Sequence, residues 1–207
     1  PFTEGSDGHT YGEAVVSMLL THSGQNSLFC IENVATKQCS SELPDGMPDA
    51  DAMVAAIQET LGTTSVDEIR YLELHGTATP MGDMTEMDAV TEVYGESTSL
   101  YLGCSKGSYG NVFEANTLLE CLKCYYVMKR KVVPGSTNFE TLNPHLDWKE
   151  SYRYGSQTVT MNEPIHYSAI NGYAFEGTVG HVLLSFDDTR DAEDALKRKD
   201  VVHESLL

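Results

Sequence analysis

An imidazole at the end of an apolar run is the first chemically capable feature of this chain. IRYLEL, residues 69–74, leads into HGTATPMGD, residues 75–83. A histidine so placed, His75, can move a proton or aim a hydrogen bond at a carbonyl oxygen that gains charge. Standing alone, it also fits a strand end as a satisfied structural residue. Thr77 and Thr79 add hydroxyls to the same loop, able either to reach a ligand or to cap the turn. SLYLGCSK, residues 99–106, runs in the same way into a polar loop, KGSYGN, which offers the cation Lys106 and the carboxamide Asn111. A third stretch, YAFEGTVGH at residues 173–181, sets Phe175 in a turn that precedes His181.

The elements that must hold these groups follow from hydrophobic spacing. AVVSMLL (14–20) reads as a buried strand, and Leu28–Val34 as another. Residues 36–49 carry two prolines and a glycine among polar residues, which predicts a loop. Ala50, Met53, Val54, Ile57 and Leu61 fall on one helical face, and Asp83 to Tyr94 reads as a second helix with acidic first turns. Ala115, Leu118, Leu119, Leu122, Tyr125 and Tyr126 mark a third, over residues 112–129. Strands near 157–161, 165–170 and 181–186 close the core, and the charged segment from Asp187 reads as a solvated helix or frayed end. The alternation predicts an α/β fold with a mixed sheet layered by helices. Ligands in such folds sit at the carboxyl ends of strands, where HGTAT and SKGSYGN both fall.

Composition narrows the function. The 207 residues carry 31 acidic and 13 basic side chains, a net charge of −18, which repels nucleic-acid backbones. No apolar run is long enough to cross a membrane, and the opening residues lack a secretory signal pattern. The missing initiator Met leads us to expect a start inside a longer product or after processing. The odd set of five cysteines, 30, 39, 104, 121 and 124, argues against a disulfide framework and for a reducing, intracellular compartment. Cys121 and Cys124 form a CxxC inside the third helix, so packing thiols are expected there rather than a metal or redox pair. No metal site is expected.

Five stretches in order carry a family resemblance. HGTATPMGD resembles the HGTGTPxGD of β-ketoacyl synthases, the condensing enzymes of fatty-acid and polyketide synthesis. CSKGSYGN (104–111) is similar to their KSNIGH segment, YAFEGTVGH to FGFGGTNAH, DGHTYGEA (7–14) to DGFVxGEG, and NPHLDW (143–148) to NPHIDW. The resemblance implies a thiolase-like βαβαβαββ half. Residues 1–24 would end the N-terminal condensing half, residues 25–186 would form the C-terminal half, and residues 187–207 a charged tail. It further implies decarboxylative Claisen condensation between an acyl thioester and a malonyl carrier protein. His75, Asn111 and Lys106 would be the catalytic set. Thr77, Thr79 and Phe175 would bind the substrate and its phosphopantetheine arm, Phe175 also lending an oxyanion-hole N–H and gating acyl entry. His181 reads as structural. No cofactor would be bound beyond the phosphopantetheine-linked substrates on an acyl carrier protein. The implied partners are the Cys-bearing N-terminal half or subunit, the carrier protein, and a homodimer or larger assembly.

Several departures keep a second function class open. The segment carrying the nucleophilic cysteine is not among the residues matched, and Cys39 in QCSSEL reads as a loop cysteine. Asn111 stands where the ketosynthases have their second histidine, although Cys–His–Asn sets occur in related condensing enzymes. Glu114 and Asn116 bring bulk and polarity where small residues are expected. Glu176, which replaces a glycine, would be strained by on the order of 1 kcal/mol or more if its φ were positive, and Ala174 and Val179 also differ. A degenerate condensing fold serving as scaffold or assembly subunit is therefore the alternative to an enzyme. A lipid- or acyl-binding module is a third reading.

Overall fold

The computed structural model describes residues 1–22, 27–40, 48–95, 97 and 99–187. Strand β1 is Cys30–Gln38 and helix α1 is Ala50–Leu61; β2 (Ile69–Glu73) and α2 (Pro80–Tyr94) follow. Next come β3 (Leu100–Gly103), the single turn α3 (Lys106–Tyr109) and α4 (Asn116–Arg130). Three two-residue strands, β4 (Val132–Val133), β5 (Tyr152–Arg153) and β6 (Val159–Thr160), precede the hairpin of β7 (Tyr167–Tyr173) and β8 (Thr178–Ser185). The main sheet is ordered β1-β8-β7-β2-β3-β5, and β4 pairs with β6 apart from it. β2 is parallel to both β3 and β7, while β8 is antiparallel to β7 and β1, so the sheet is mixed as expected.

Period-2 alternation explains the layers. Leu72, Ala169 and Leu183 point to one face, where Ile57 and Leu61 of α1 and Met87, Val90 and Tyr94 of α2 cover them. Their neighbours Tyr71, Ile170 and Leu184 point to the other face, under Cys121, Cys124, Val127 and Met128 of α4. Helices α1 and α2 begin where side chains satisfy the first N–H groups. Asp49 accepts from the Ala52 N–H ahead of α1, and Thr79 accepts from the Gly82 N–H ahead of α2, with Pro80 at its first position. Lys129 and Arg130 lie in the last turn of α4, the favourable end of its dipole.

Several boundaries differ from the sequence reading. Residues 14–20 form no strand: Val15 and Leu19 are exposed, with relative areas of 102% and 90%. An apolar run alone does not make a strand, because the ladder needs a partner edge. β1 extends to Gln38, past the expected start of the loop, because it pairs along the whole of β8. The third helix starts at Asn116 rather than 112, after a 3-10 turn at Phe113–Ala115. KGSYGN is not a loop, since its first four residues form α3. The expected tail lies almost wholly outside the described residues, as do residues 41–47 of the expected 36–49 loop.

Candidate active site

Two carboxylates of α2 build the loop after β2. The fully buried Glu86 accepts from the His75 N–H (2.7 Å) and the Gly76 N–H (2.8 Å), and Asn171 Nδ2 donates to it at 3.0 Å. Asp83 accepts from the Ala78 N–H at 2.9 Å and from the Phe2 N–H at 2.6 Å. The loop thus takes its shape from a rigid helix, three residues separating its two anchors on one face. Gly76 (φ 53°) is required there: a Cβ would lie 2.5 Å from Cys104 Sγ and 2.8 Å from the Phe2 ring.

The His75 imidazole stands at the end of a buried ionic chain. Lys106 Nζ lies 3.5 Å from His75 Nδ1 and 3.1 Å from Glu120 Oε1. Both charged side chains are fully buried, so the pair shelters from screening. Burial works against the Lys106 ammonium, but Glu120, Cys104 and Glu86 together outweigh it and its pKa stands above the usual lysine value. Burial, the Lys106 charge and His9 hold His75 well below the ordinary histidine range. His75 is therefore neutral. Lys106, having only N–H donors, faces a lone pair on Nδ1, so the proton resides on Nε2. The Tyr173 ring packs against the imidazole, with centroids 3.9 Å apart.

Asn111 is fixed from three sides. Its Oδ1 accepts from the Phe113 N–H (3.0 Å) and from Asn116 Nδ2 (2.5 Å), which sets the amide orientation. Its Nδ2 therefore points to His9 Nε2, at 3.1 Å. Asn116 also accepts from the Val112 N–H. The sequence reading expected Asn116 to crowd this position. Instead, it is buried and orients Asn111. Glu114, the other expected obstacle, is exposed at the rim.

The His75 and Asn111 side chains meet at one cavity of about 520 Å³, lined also by His9, Thr77, Thr79 and Phe175 among others. The volume lies within the ordinary range for small-ligand sites. Thr77 and Thr79 hydroxyls are 3.0 Å apart, and Thr79 also caps α2, so its hydroxyl serves both wall and helix. Lys106 does not line the cavity and acts on it only through His75. Phe175 sits at the tip of the β7–β8 turn, exposed, its ring 6.1 Å from that of Phe113. The turn closes with the N–H groups of Ala174 and Gly177, not that of Phe175. Positive φ falls on Gly177 (79°), so Glu176 escapes the expected strain and stands exposed at the mouth.

Other expectations resolve on the same geometry. His181 is fully buried in β8, between Asn171 Oδ1 (2.7 Å) and the Tyr94 hydroxyl (3.1 Å). Cys39 follows β1, its N–H bonded to Gly177 O, and burial raises its thiol pKa. Cys121 and Cys124 are free thiols packed in the core under the sheet. The sequence reading missed His9, Asp83, Glu86, Glu120 and Tyr173. The i, i+3 spacing of Asp83 and Glu86 could have pointed both at the loop. The histidine in place of the DGFVxGEG phenylalanine was the signal for His9.

A half-sheet of this topology, with two polar strand ends facing one cavity, defines a thiolase-like condensing-enzyme half. The β-ketoacyl synthase C-terminal domain model matches residues 28–140, more than half of the 207 residues. The chain belongs to the β-ketoacyl synthase family. It is 29% identical over 199 residues to 6-methylsalicylic acid synthase of Penicillium expansum, covering 88% of this chain and 11% of that protein. It is 26% identical to the non-reducing polyketide synthase sor2 of Hypocrea jecorina, covering 89% and 8% respectively. The chain thus spans about a tenth of the length of such relatives. Among solved structures, the oxazolomycin ketosynthase domain OzmH KS7 of Streptomyces albus superposes with a TM-score of 0.72 at 21% identity. That match covers 77% of this chain and 30% of the other. The module 1 ketosynthase of the bacillaene synthase from Bacillus amyloliquefaciens gives 0.70 at 22%, covering 78% and 30%. These structural likenesses establish the fold. No helix among the described residues is long and apolar enough to cross a membrane.

Proposed function

We propose that this chain is the C-terminal part of a condensing unit in fatty-acid or polyketide synthesis. Residues 1–24 end the preceding half in this reading, residues 25–186 form the C-terminal half, and the charged segment follows. The malonyl carboxylate leaves as carbon dioxide when its bond to the α-carbon breaks. The electron pair delocalises onto the thioester oxygen. The α-carbon then attacks an acyl thioester held on a cysteine of the other half, and that thiolate is released. His75 Nε2–H and an Asn111 N–H donate to the developing oxyanion, which is where fixed dipoles lower a barrier most. Lys106 is a positioning residue that keeps the proton on Nε2. Thr77 and Thr79 receive the phosphopantetheine arm, and Phe175 gates the acyl chain. The carrier protein, the Cys-bearing half and a homodimeric or larger assembly are the partners. The exposed Val15, Leu19 and Leu20 form the surface we assign to the other half. Five cysteines, with no disulfide among the described residues, suit a reducing compartment inside the cell.

A neutral imidazole and an oriented carboxamide on one cavity wall carry this reading. The buried Lys106–Glu120 pair, with Lys106 set against His75 Nδ1, favours the enzyme over a degenerate scaffold. The test is carbon dioxide release from a malonyl carrier protein by the full-length protein. His75→Ala is expected to lower the rate by about 100- to 1000-fold, the loss typical of one oxyanion donor. A folded, full-length wild-type protein that releases none would overturn the reading.

A further inference from the structure

We propose that His9 is a positioning residue of this site, holding the Asn111 carboxamide so that its second N–H serves the thioester oxygen. The proposal rests on the function proposed above. His9 stands where the resembled motif DGFVxGEG has phenylalanine, and Asn111 where KSNIGH has histidine. The imidazole has changed chain segment without leaving the cavity, which both residues line.

The backbone makes the pairing rigid. The Asn111 N–H donates to Thr10 O and the Gly12 N–H donates to Asn111 O, each at 2.8 Å, so segment 10–12 runs in parallel with position 111. Only glycine allows this approach, since a Cβ on Gly12 would lie 2.0 Å from Tyr109 O. His9 Nδ1 lies 3.0 Å from Thr77 O, and a carbonyl can only accept, so Nδ1 carries the proton. Asn111 Oδ1 is taken by the Phe113 N–H and Asn116, so Nδ2 is the donor that meets His9 Nε2. Both ends of the ring thus agree on one neutral tautomer. One imidazole ties the HGTAT loop to the end of KGSYGN. Its Nε2 lone pair is already engaged by Asn111, which makes His9 an orienting group rather than a proton carrier.

The test uses the full-length protein and malonyl carrier protein. His9→Phe is expected to lower kcat for decarboxylation about 10-fold or more, as expected when a hydrogen-bonded partner is lost, with KM changed less than 2-fold. His9→Phe combined with Asn111→His, which returns both positions to the family residues, should recover most of that loss. A structural role for His9 would give no such rescue. Unchanged kcat in His9→Phe, or a double variant no better than the single one, overturns the proposal. If His9→Phe fails to fold, ¹⁵N NMR of the wild type decides: a proton on Nδ1, with an Nε2 resonance that moves in Asn111→Ala, is expected. An Nε2–H tautomer overturns it. Absence of carbon dioxide release by a wild type showing the expected tautomer would instead remove the condensing reading, and this role with it.

Discussion

Ala78 holds φ at 57° in the middle of the HGTAT loop, where the resembled motif has glycine. A β-carbon in that region costs roughly 1–2 kcal/mol, and the Asp83 carboxylate holds the residue there by accepting from its N–H. Glycine would remove the clash but widen the unfolded ensemble, an opposing effect of about 0.4–1 kcal/mol. Ala78→Gly is therefore expected to stabilise the chain by about 0.5–1 kcal/mol in urea unfolding. A destabilised variant would show that the alanine methyl contributes packing that outweighs the strain. The candidate side chains themselves were legible: His75, Thr77, Thr79, Asn111 and Phe175 all line one cavity. Their partners were not. Glu86 and Glu120 look like ordinary helix-surface carboxylates until the packing buries them.

At the scale of elements, α4 brings two carboxylate–lysine contacts under the sheet, Glu120 to Lys106 and Lys123 to Glu73. Breaking a fully buried pair leaves an uncompensated charge, which costs about 3–5 kcal/mol. Lys106→Met should therefore destabilise strongly. Lys106→Met with Glu120→Leu should recover most of the loss, because a well-packed apolar pair can match a buried ionic one. Equilibrium urea unfolding of both variants checks this. If the double variant were as unstable as the single one, the pair would be holding α3 and α4 together and not mainly tuning His75. The strands and helices around this pair were legible because a short apolar run marks β2 while a 3.6-residue period marks α1 and α4. The run 14–20 misled because an exposed apolar surface and a buried strand share a composition. α3 was hidden because a four-residue helix leaves no periodic signature.

Over the whole molecule, buried titratable groups oppose one another. His181 lies at about 3 and His75 well below its usual 6.5, in both cases because burial excludes the charged ring. Glu86 and Glu120 are pushed up from 4.5 to about 7 by burial. Below pH 6.5 the unfolded chain protonates both histidines, while the native chain protonates each only at its lower folded value, so until that value is reached each histidine removes about 1.4 kcal/mol of stability per pH unit. Between pH 7 and 4.5 the native carboxyls bind protons that the unfolded ones do not, and each adds a similar amount. The carboxyl gains therefore oppose the histidine losses below pH 6.5. Below 4.5 the carboxyls are protonated in both states and their gain stops, while His181 continues to destabilise down to about pH 3. Neutralising the surface that carries −18 at pH 7 relieves self-repulsion in the same range, but it does so equally in a variant that leaves the surface alone. His181→Asn is therefore compared with the wild type at each pH by urea unfolding. The variant starts less stable, having lost the bond to Asn171 or Tyr94. Between pH 4.5 and 3 its stability should fall about 1.4 kcal/mol per pH unit less steeply than that of the wild type. Equal slopes would mean that His181 takes up its proton in the folded chain, and that the polar layer joining Tyr94, His181, Asn171 and Glu86 opens to water before the fold is lost.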